Sequence, residues 1–172
     1  MSIHRLNHAV LYVRDTARSV AFYRDVLGFE VVNRMGDRAA FLRAGGSTND
    51  HDLGLFGIGT QAGASTAGRS SVGLYHLAWE VDTLRDLDDM QARLAGAGAL
   101  VGASDHSTTK SLYGQDPDGI EFEIAWIVPA DLLDEQALAG RLHIRPLDLS
   151  REIARYGADT PGGIGVSRAV VG

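Results

Sequence analysis

Apolar and polar residues alternate along the chain in short blocks that predict strands and helices in a repeated order. Residues 6–13 are rich in β-formers and predict a strand, and the polar residues after it include Asp15 and Thr16, either of which can cap a helix. Apolar positions then recur at helical spacing as far as Leu27, and Gly28 ends the pattern. Three further strand patterns follow, at 29–35, 38–43 and 52–58. The beginning of the chain therefore predicts the order βαβββ.

The second half of the chain repeats this order. A strand pattern over 75–81 precedes a cap at Asp82 or Thr83 and a helical apolar pattern over 84–94. Three strand patterns then follow, at 101–104, 111–115 and 120–128. We therefore divide the chain into a first βαβββ module (1–58), a small-residue linker (59–71), a second βαβββ module (72–128) and a C-terminal extension (129–172).

The extension begins at Pro129, which breaks the last strand pattern. Apolar spacing predicts one or two short helices over 130–157. The glycine-rich end, 157–172, is expected to be poorly ordered. The fold class that follows is α+β, with two βαβββ modules related by a pseudo-twofold axis, mixed sheets around a central metal cleft and helices outside.

Composition removes several classes of function. The chain has no cysteine, which excludes a disulfide scaffold, a thiolate zinc site, an iron–sulfur cluster and a cysteine nucleophile. The formal net charge is −6 and Lys110 is the only lysine against 15 arginines, without a basic cluster, so nucleic acid is not expected as a partner. No apolar run approaches the roughly 18–20 residues of a membrane span. The N-terminus lacks an apolar signal core, so we expect a cytoplasmic protein without a membrane partner.

Two histidines occupy equivalent places in the repeat. His8 and His76 are 68 positions apart, and each stands at the start of its module's first strand. One such histidine alone would more often be a core residue bonded to a backbone carbonyl, but the repeat equivalence favours a metal site, because equivalent positions of a pseudo-twofold meet in the middle of the fold. The last strand adds Glu123, whose carboxylate is costly on so apolar a strand unless it is paired or bound to metal.

Two histidines and one carboxylate match the facial triad of non-haem Fe(II) oxygenases. Subtracting the same 68 positions from Glu123 gives Leu55, so the fourth symmetric position is expected to be apolar. The site would then have three protein ligands and open positions for small molecules. Glu121, near the turn, is interpreted as a solvated strand-end residue.

Three more polar residues are candidates for chemistry: His51 at the start of a strand, His106 in a polar loop and Tyr113 in a strand. Taken singly, each is as well explained as a surface loop histidine or a half-buried strand tyrosine. His4 and His143 are interpreted as an ordinary terminal residue and an ordinary tail residue.

Residues 5–128 resemble the vicinal-oxygen-chelate superfamily of paired βαβββ modules, which includes glyoxalase I, bleomycin- and fosfomycin-resistance proteins and type I extradiol dioxygenases. The opening LNHAVLYVRD, the segment SVAFYRDVLGF, and the turn DPDG with a glutamate four residues after its glycine fit the whole superfamily. A more specific pattern is similar to the extradiol ring-cleavage signature: His106, then Leu112-Tyr113, then Asp116 to Gly119, then Glu123. Ser104 departs from that signature, which usually has glycine or one of a few other residue types there. The short, one-domain catechol 2,3-dioxygenase-like members are the most similar.

The resemblance implies a role for each candidate residue. His8, His76 and Glu123 would be ligands of Fe(II), or of Mn(II) as in some members. His51 would be the acid/base residue, and His106 and Tyr113 would hold the substrate oxygens. A small aromatic diol would bind the metal through its two vicinal oxygens, and O2, the co-substrate, would be inserted into the ring beside them. A neutral histidine suits deprotonation of a catechol near neutral pH.

Two other classes of function stay open. One is another metal-dependent enzyme of the superfamily, such as a glyoxalase-type isomerase or a thiol transferase, although an apolar Leu55 argues against four protein ligands. The other is a non-catalytic drug-binding resistance protein, which would make the six candidate residues a coincidence. Edge strands and an apolar tail predict self-association into a dimer or larger homo-oligomer, without fixing the number of subunits.

Overall fold

The computed structural model describes residues 2–68 and 70–163. The elements run in chain order as β1 (Ala9–Val13), α1 (Thr16–Asp25), β2 (Glu30–Arg34), β3 (Ala39–Arg43), β4 (Leu53–Gly57), β5 (Leu77–Glu80), α2 (Leu84–Gly96), β6 (Leu100–Asp105), β7 (Thr109–Gln115), β8 (Glu121–Ile127), a 3-10 turn (Ala130–Leu132), α3 (Glu135–Gly140), β9 (Arg145–Pro146) and α4 (Leu149–Tyr156). The predicted α+β class and the repeated βαβββ order are confirmed, with two mixed sheets and α-helices packed against them.

The described chain divides into two compact units. The first contains the residues up to Thr66 together with the turn Asp116–Ile120, and the second contains Ala67–Gln115 and the residues from Glu121 onward. The division falls within the small-residue segment 59–71. No helix in the described part of the chain is long and apolar enough to cross a membrane.

The first unit is built on a four-stranded sheet in the order β1-β4-β3-β2. β1 and β4 are parallel, and the other neighbours are antiparallel. Asp15 caps α1 by accepting a hydrogen bond from the Arg18 backbone N–H, and this cap fixes where the helix begins. Strand alternation buries Leu11 and Val13 on the helix side of β1 and exposes Val10 and Tyr12 on the other side.

The turn Asp116–Ile120 completes the first unit. The Asp118 carboxylate accepts hydrogen bonds from the Arg14 backbone N–H and from its guanidinium, both at 2.9 Å. Buried Tyr23 of α1 donates its hydroxyl to Asp116 at 3.2 Å. Burial, followed by the nearby carboxylate of Asp116, raises the pKa of Tyr23, so its hydroxyl stays protonated. This turn is therefore a polar anchor for α1.

The second unit carries a five-stranded sheet in the order β5-β8-β7-β6-β9. α2 begins with a capping box in which Thr83 and Asp86 each accept from the other's backbone N–H. The apolar residues predicted for this helix are its buried face: Leu84, Leu87, Met90 and Leu94. On β8 the core side holds Phe122, Ile124 and Trp126, all buried, and the opposite side holds the glutamates.

The extension contains two α-helices, as predicted, and one strand that was not predicted. β9 has only two residues, both exposed, and pairs with the end of β6 through Ser104↔Pro146 and Asp105↔Arg145. So short a polar strand has no periodicity to detect. The expected poor order of the glycine-rich end is not found at residues 157–163, where the Gly162 and Gly163 N–H groups donate to backbone carbonyls of the second unit. The rest of that segment, 164–172, lies outside the described residues.

Candidate metal centre

One face of the second unit's sheet, opposite its core, collects the polar candidates. His76 lies immediately before β5, and Glu123 lies in the middle of the neighbouring parallel strand β8. His76 Nε2 and Glu123 Oε2 are 3.0 Å apart, and their side chains are 25% and 13% exposed. The structure therefore brings two of the three predicted metal ligands together, one immediately before β5 and one on β8, with both side chains partly exposed.

Ser111 fixes the orientation of the carboxylate. Its hydroxyl, on β7, donates to Glu123 Oε1 at 2.5 Å, which leaves Oε2 for His76. Ser111 is buried and lies two residues before Tyr113, so both side chains point to the same face of β7. Sequence reasoning missed Ser111. Strand alternation from Tyr113, combined with antiparallel pairing to the glutamate strand, was the signal that could have found it.

His106 and Tyr113 form the second pair on this unit. His106 Nε2 and the Tyr113 hydroxyl oxygen are 2.8 Å apart, in hydrogen-bond contact. Burial and the negative charge of Glu123 raise the pKa of Tyr113, and this outweighs the opposing hydrogen bonds with Ser111 and Ser104. The phenol therefore stays protonated and can donate a hydrogen bond at neutral pH.

The first unit holds the other two histidines. His8 is exposed, lies immediately before β1 and stacks at a tilt on His51, with 4.7 Å between ring centroids. His51 Nδ1 is 2.9 Å from the Asp50 carboxylate, and Phe41 packs edge-on against the ring of His51. These contacts give His51 an ordered position beside His8.

Buried Asp52 organises the loop that carries His51. Its carboxylate accepts hydrogen bonds from the Ala44 backbone N–H, the Ser47 hydroxyl and the Asn49 amide, at 2.9, 2.8 and 2.7 Å. Burial alone would raise the pKa of Asp52, but these hydrogen bonds outweigh it and the pKa is lowered. The loop is therefore held by a carboxylate that remains ionised.

The structure thus groups the predicted residues in three pairs: His8 with His51, His76 with Glu123, and His106 with Tyr113. Within residues 2–68 and 70–163, no group of three His, Asp or Glu side chains is close enough to hold a metal ion. His8 belongs to the first unit, and His76 and Glu123 belong to the second. Glu121 is the half-buried first residue of β8, and His4 and His143 are exposed.

Strand register corrects one inference from the repeat. In the first unit Val10 pairs with Gly54, and in the second unit Ala78, 68 positions later, pairs with Glu123. The counterpart of Glu123 is therefore Gly54, because the separation between the repeats grows by one residue before β8. Leu55 is fully buried in the core and does not face the same side. Gly54 has no side chain, so this position offers no ligand in the first unit.

The His76–Glu123 pair fits a divalent transition metal. An imidazole nitrogen and a carboxylate oxygen are the donors that Fe(II) and Mn(II) accept in proteins. His76 Nε2 and Glu123 Oε2, 3.0 Å apart, are close enough for one ion to bind both. Nδ1 of His76 is buried without a hydrogen-bond partner among the described residues, whereas Nε2 faces Glu123, so Nε2 is the nitrogen placed to bind an ion together with that carboxylate.

Comparison with known proteins agrees with this picture. A family model described as "Glyoxalase/Bleomycin resistance protein/Dioxygenase superfamily" matches residues 5–124. A catechol-2,3-dioxygenase of Bacillus subtilis (strain 168) is 35% identical over 126 residues, which are 72% of this chain and 42% of that protein. A manganese-dependent 2,3-dihydroxybiphenyl 1,2-dioxygenase of Geobacillus genomosp. 3 is 29% identical over 130 residues, which are 73% of this chain and 38% of that protein. The chain thus spans less than half the length of these two relatives.

A solved structure has the same fold. The glyoxylase/bleomycin resistance protein/dioxygenase domain from Frankia sp. EAN1pec superposes with a TM-score of 0.57 at 28% identity, over 72% of this chain and 92% of that one. The extension after residue 128 lies beyond the family match.

Proposed function

We propose that this chain, which belongs to the Glyoxalase/Bleomycin resistance protein/Dioxygenase superfamily, is a type I extradiol dioxygenase that cleaves a catechol-type ring beside its vicinal hydroxyls. Both atoms of O2 would enter the product, a 2-hydroxymuconic semialdehyde-type compound. The observation that carries the proposal is the sheet face on which the His76–Glu123 pair lies next to the hydrogen-bonded His106–Tyr113 pair. The dioxygenase relatives support the same reaction class.

The metal would be Fe(II), with Mn(II) as the alternative, held by His8, His76 and Glu123. When bound, it would supply coordination of the catechol oxygens and electron transfer between the diol and O2. Ser111 would keep Glu123 Oε2 directed toward the ion, since its hydroxyl already occupies Oε1.

His51 would act as the acid/base residue. A catechol must lose a proton as it binds, and a neutral imidazole accepts a proton readily near neutral pH. Asp50, 2.9 Å from Nδ1, would stabilise the imidazolium that forms and leave Nε2 to face the substrate. The hydrogen-bonded loop around Asp52 would keep the ring in place during this transfer.

Tyr113 and His106 would hold the substrate oxygens. Because the Tyr113 phenol stays protonated, it can donate a hydrogen bond to an oxyanion, and its raised pKa favours that donor role over loss of its proton. His106, 2.8 Å from the phenol, would orient that hydroxyl and offer a second polar group to the substrate.

The test is anaerobic reconstitution of the full chain with Fe(II) or Mn(II), followed by oxygen-electrode and absorbance assays with a panel of catechols. We expect oxygen uptake together with a new yellow chromophore. His76→Ala should abolish both, whereas His143→Ala, an exposed histidine of the extension, should leave both unchanged.

Two results would contradict the proposal. Stoichiometric metal without oxygen uptake would indicate a non-oxidative metal enzyme of the superfamily, such as an isomerase or thiol transferase. Absence of metal binding at micromolar ion would indicate a drug-binding protein.

A further inference from the structure

The turn that presents His106 has an unfavourable backbone. It joins β6 to β7, and Ser107, directly after His106, has a φ of 65°, the left-handed region that non-glycine residues avoid. Two short hydrogen bonds close the turn, from the His106 N–H to the Thr109 carbonyl at 2.9 Å and from the Thr108 N–H to the His106 carbonyl at 2.8 Å. Such a conformation persists only where the surroundings fix it.

Lys110 stabilises this turn from the core side of the sheet. Its side chain is fully buried, and its ammonium lies 2.5 Å from Asp105 Oδ1, 3.1 Å from the Ser107 carbonyl oxygen and 2.9 Å from Glu152 Oε2. The ammonium donates hydrogen bonds to Asp105 and to the Ser107 carbonyl, and its contact with Glu152 is an ion pair. The same Asp105 oxygen also accepts from the Ser107 N–H at 2.7 Å. Lys110 thus binds the Ser107 carbonyl, Asp105 binds the Ser107 N–H, and the ammonium links Asp105 to Glu152.

The second carboxylate comes from the extension. Glu152 is a buried residue of α4, 28 positions beyond the end of the family match at residue 124. β9 pairs with β6 at Ser104 and Asp105, immediately before the turn. α3 ends at Gly140, where an added Cβ would collide with the Ser107 hydroxyl. Helix, strand and helix of the extension thus touch the turn at three different points.

We infer that Lys110, through its hydrogen bonds to Asp105 and Ser107 and its ion pair with Glu152, is a positioning residue that holds His106 in place for the substrate, and that the extension supplies part of this support. The inference rests on the proposed function for the role of His106. It does not require Lys110 to touch substrate, since the ammonium is enclosed on the core side of the sheet.

The charges of this cluster argue for a role in position more than in stability. Burial of an ion pair costs desolvation, and apolar residues of the same volume usually serve stability as well or better. Here one ammonium meets two buried carboxylates, and Arg151 offsets the excess charge, with its Nε 3.6 Å from Glu152 Oε1. The ammonium orients the Ser107 carbonyl through a hydrogen bond, which an apolar side chain could not form.

The first experiment is a double-mutant cycle on catechol turnover. Lys110→Met should lower kcat/KM by about 10- to 100-fold, as expected for displacement of a reacting-site group by about an ångström. In a His106→Ala background the same change should lower kcat/KM by less than about twofold, because the group that Lys110 positions is gone. A purely structural lysine would reduce turnover equally in both backgrounds, and that result would overturn the inference.

The matched control for the cycle is Arg85→Met. Arg85 binds Asp159 at 2.6 Å and so also joins the extension to α2, but this pair is exposed and neither residue belongs to the turn. It should leave kcat/KM unchanged in both backgrounds.

A second experiment needs no turnover. In the metal-free full chain labelled with ¹⁵N-histidine, Gly140→Ala and Lys110→Met should move the His106 ring resonances toward those of a freely rotating imidazole. Gly96→Ala, the same change at the end of α2 where an added Cβ meets open space, should leave them in place. Unchanged His106 resonances in Gly140→Ala, a variant that creates no unpaired charge, would contradict the inference even if Lys110→Met failed to fold.

The two experiments separate the two proposals. If no catechol is consumed but the His106 resonances move as expected, the dioxygenase proposal fails and the positioning role stands. If catechols are cleaved but the cycle shows no coupling and the resonances do not move, the positioning role fails and the dioxygenase proposal stands.

Discussion

The two units share one backbone plan and differ in the side chains on one face of it. Each has a histidine immediately before its first strand, His8 in one and His76 in the other. At the three matching positions farther across the sheet, the first unit has Ala39, Phe41 and Gly54, and the second has Ser111, Tyr113 and Glu123. Three substitutions on one sheet face therefore distinguish the two copies of the fold. These positions are apolar in the first unit, and in the second unit they carry a candidate metal ligand and hydrogen-bond donors.

The two loop histidines differ in the same way. His51 follows a loop held by Asp52, whose partners are neutral donors. His106 leads into a turn held by Asp105, whose partner is the buried ammonium of Lys110. Both carboxylates are buried, so the difference between the units lies in what neutralises them. The second unit obtains its ammonium contact together with an extension that the first unit lacks.

The largest expected effect on activity comes from changing Glu123, whose counterpart in the first unit is Gly54. Glu123→Gln should lower kcat/KM about a thousand-fold or more, equivalent to roughly 4 kcal/mol, because an amide is a poor ligand and leaves the ion without its anionic donor. Metal content after dialysis and oxygen uptake are the measurements. Glu121→Gln, on the same strand and face, is the control and should change neither by more than about threefold. Retention of metal and activity by Glu123→Gln would remove this residue from the centre.

A reciprocal exchange of aromatic residues tests the next difference. Tyr113→Phe removes the donor beside His106 and should lower kcat about a hundred-fold, with a smaller change in KM. Phe41→Tyr places a hydroxyl at the matching position of the first unit and should leave kcat within about threefold of its original value, since the residue paired with Phe41 is Gly54 and not a carboxylate. Steady-state oxygen uptake measures both. Equal losses in the two variants would mean that the hydroxyl of Tyr113 has no special role.

The two loop carboxylates should differ in their contribution to stability. Asp105→Asn should cost about 2–3 kcal/mol, because it weakens a buried charge-assisted contact, whereas Asp52→Asn should cost about 1–2 kcal/mol. Urea denaturation at neutral pH measures both. A larger cost for Asp52→Asn would contradict the contrast between neutral and charged partners.

The pH dependence has the same sign for both loops. Burial works to raise the pKa of Asp105, but its bonds to Lys110 and to the Ser107 N–H outweigh this and lower it, as the hydrogen bonds of Asp52 do in the first unit. A carboxyl with a lowered folded-state pKa stabilises the fold above its unfolded pKa of about 3.9, and this contribution disappears as pH falls through the folded value. The difference between wild type and either Asn variant should therefore be full at pH 7 and shrink below about pH 4.

The periodicity of apolar residues was sufficient to predict the repeated strands and helices and to identify their buried faces. Leu84 and Leu94 stand on the buried side of α2 because helical spacing leaves no other choice. The same periodicity did not predict the register of the strands. One additional residue between the repeats, before β8, makes Gly54 and not Leu55 the counterpart of Glu123. No local pattern signals such a shift.

The contacts of Lys110 could not be predicted either. A lone lysine in a strand normally reaches solvent, and nothing near it in the sequence indicates a carboxylate 42 positions later on a helix of the extension. Likewise Ser111 and Gly140 matter only through neighbours that the fold supplies. Candidate ligands with chemically distinctive side chains were identifiable from the sequence, whereas the residues that orient them were not.

The turn Asp116–Ile120 has a consequence for the order in which the chain acquires its structure. Asp118, which binds both the backbone and the guanidinium of Arg14, lies 104 positions after it. During synthesis the N-terminal module leaves the ribosome before this partner, and Tyr23 before Asp116, have been translated. Contacts of such high sequence separation close late and slow folding. The first βαβββ module therefore completes these contacts only after most of the second module has been synthesised. Folding of the two modules is coupled for this reason.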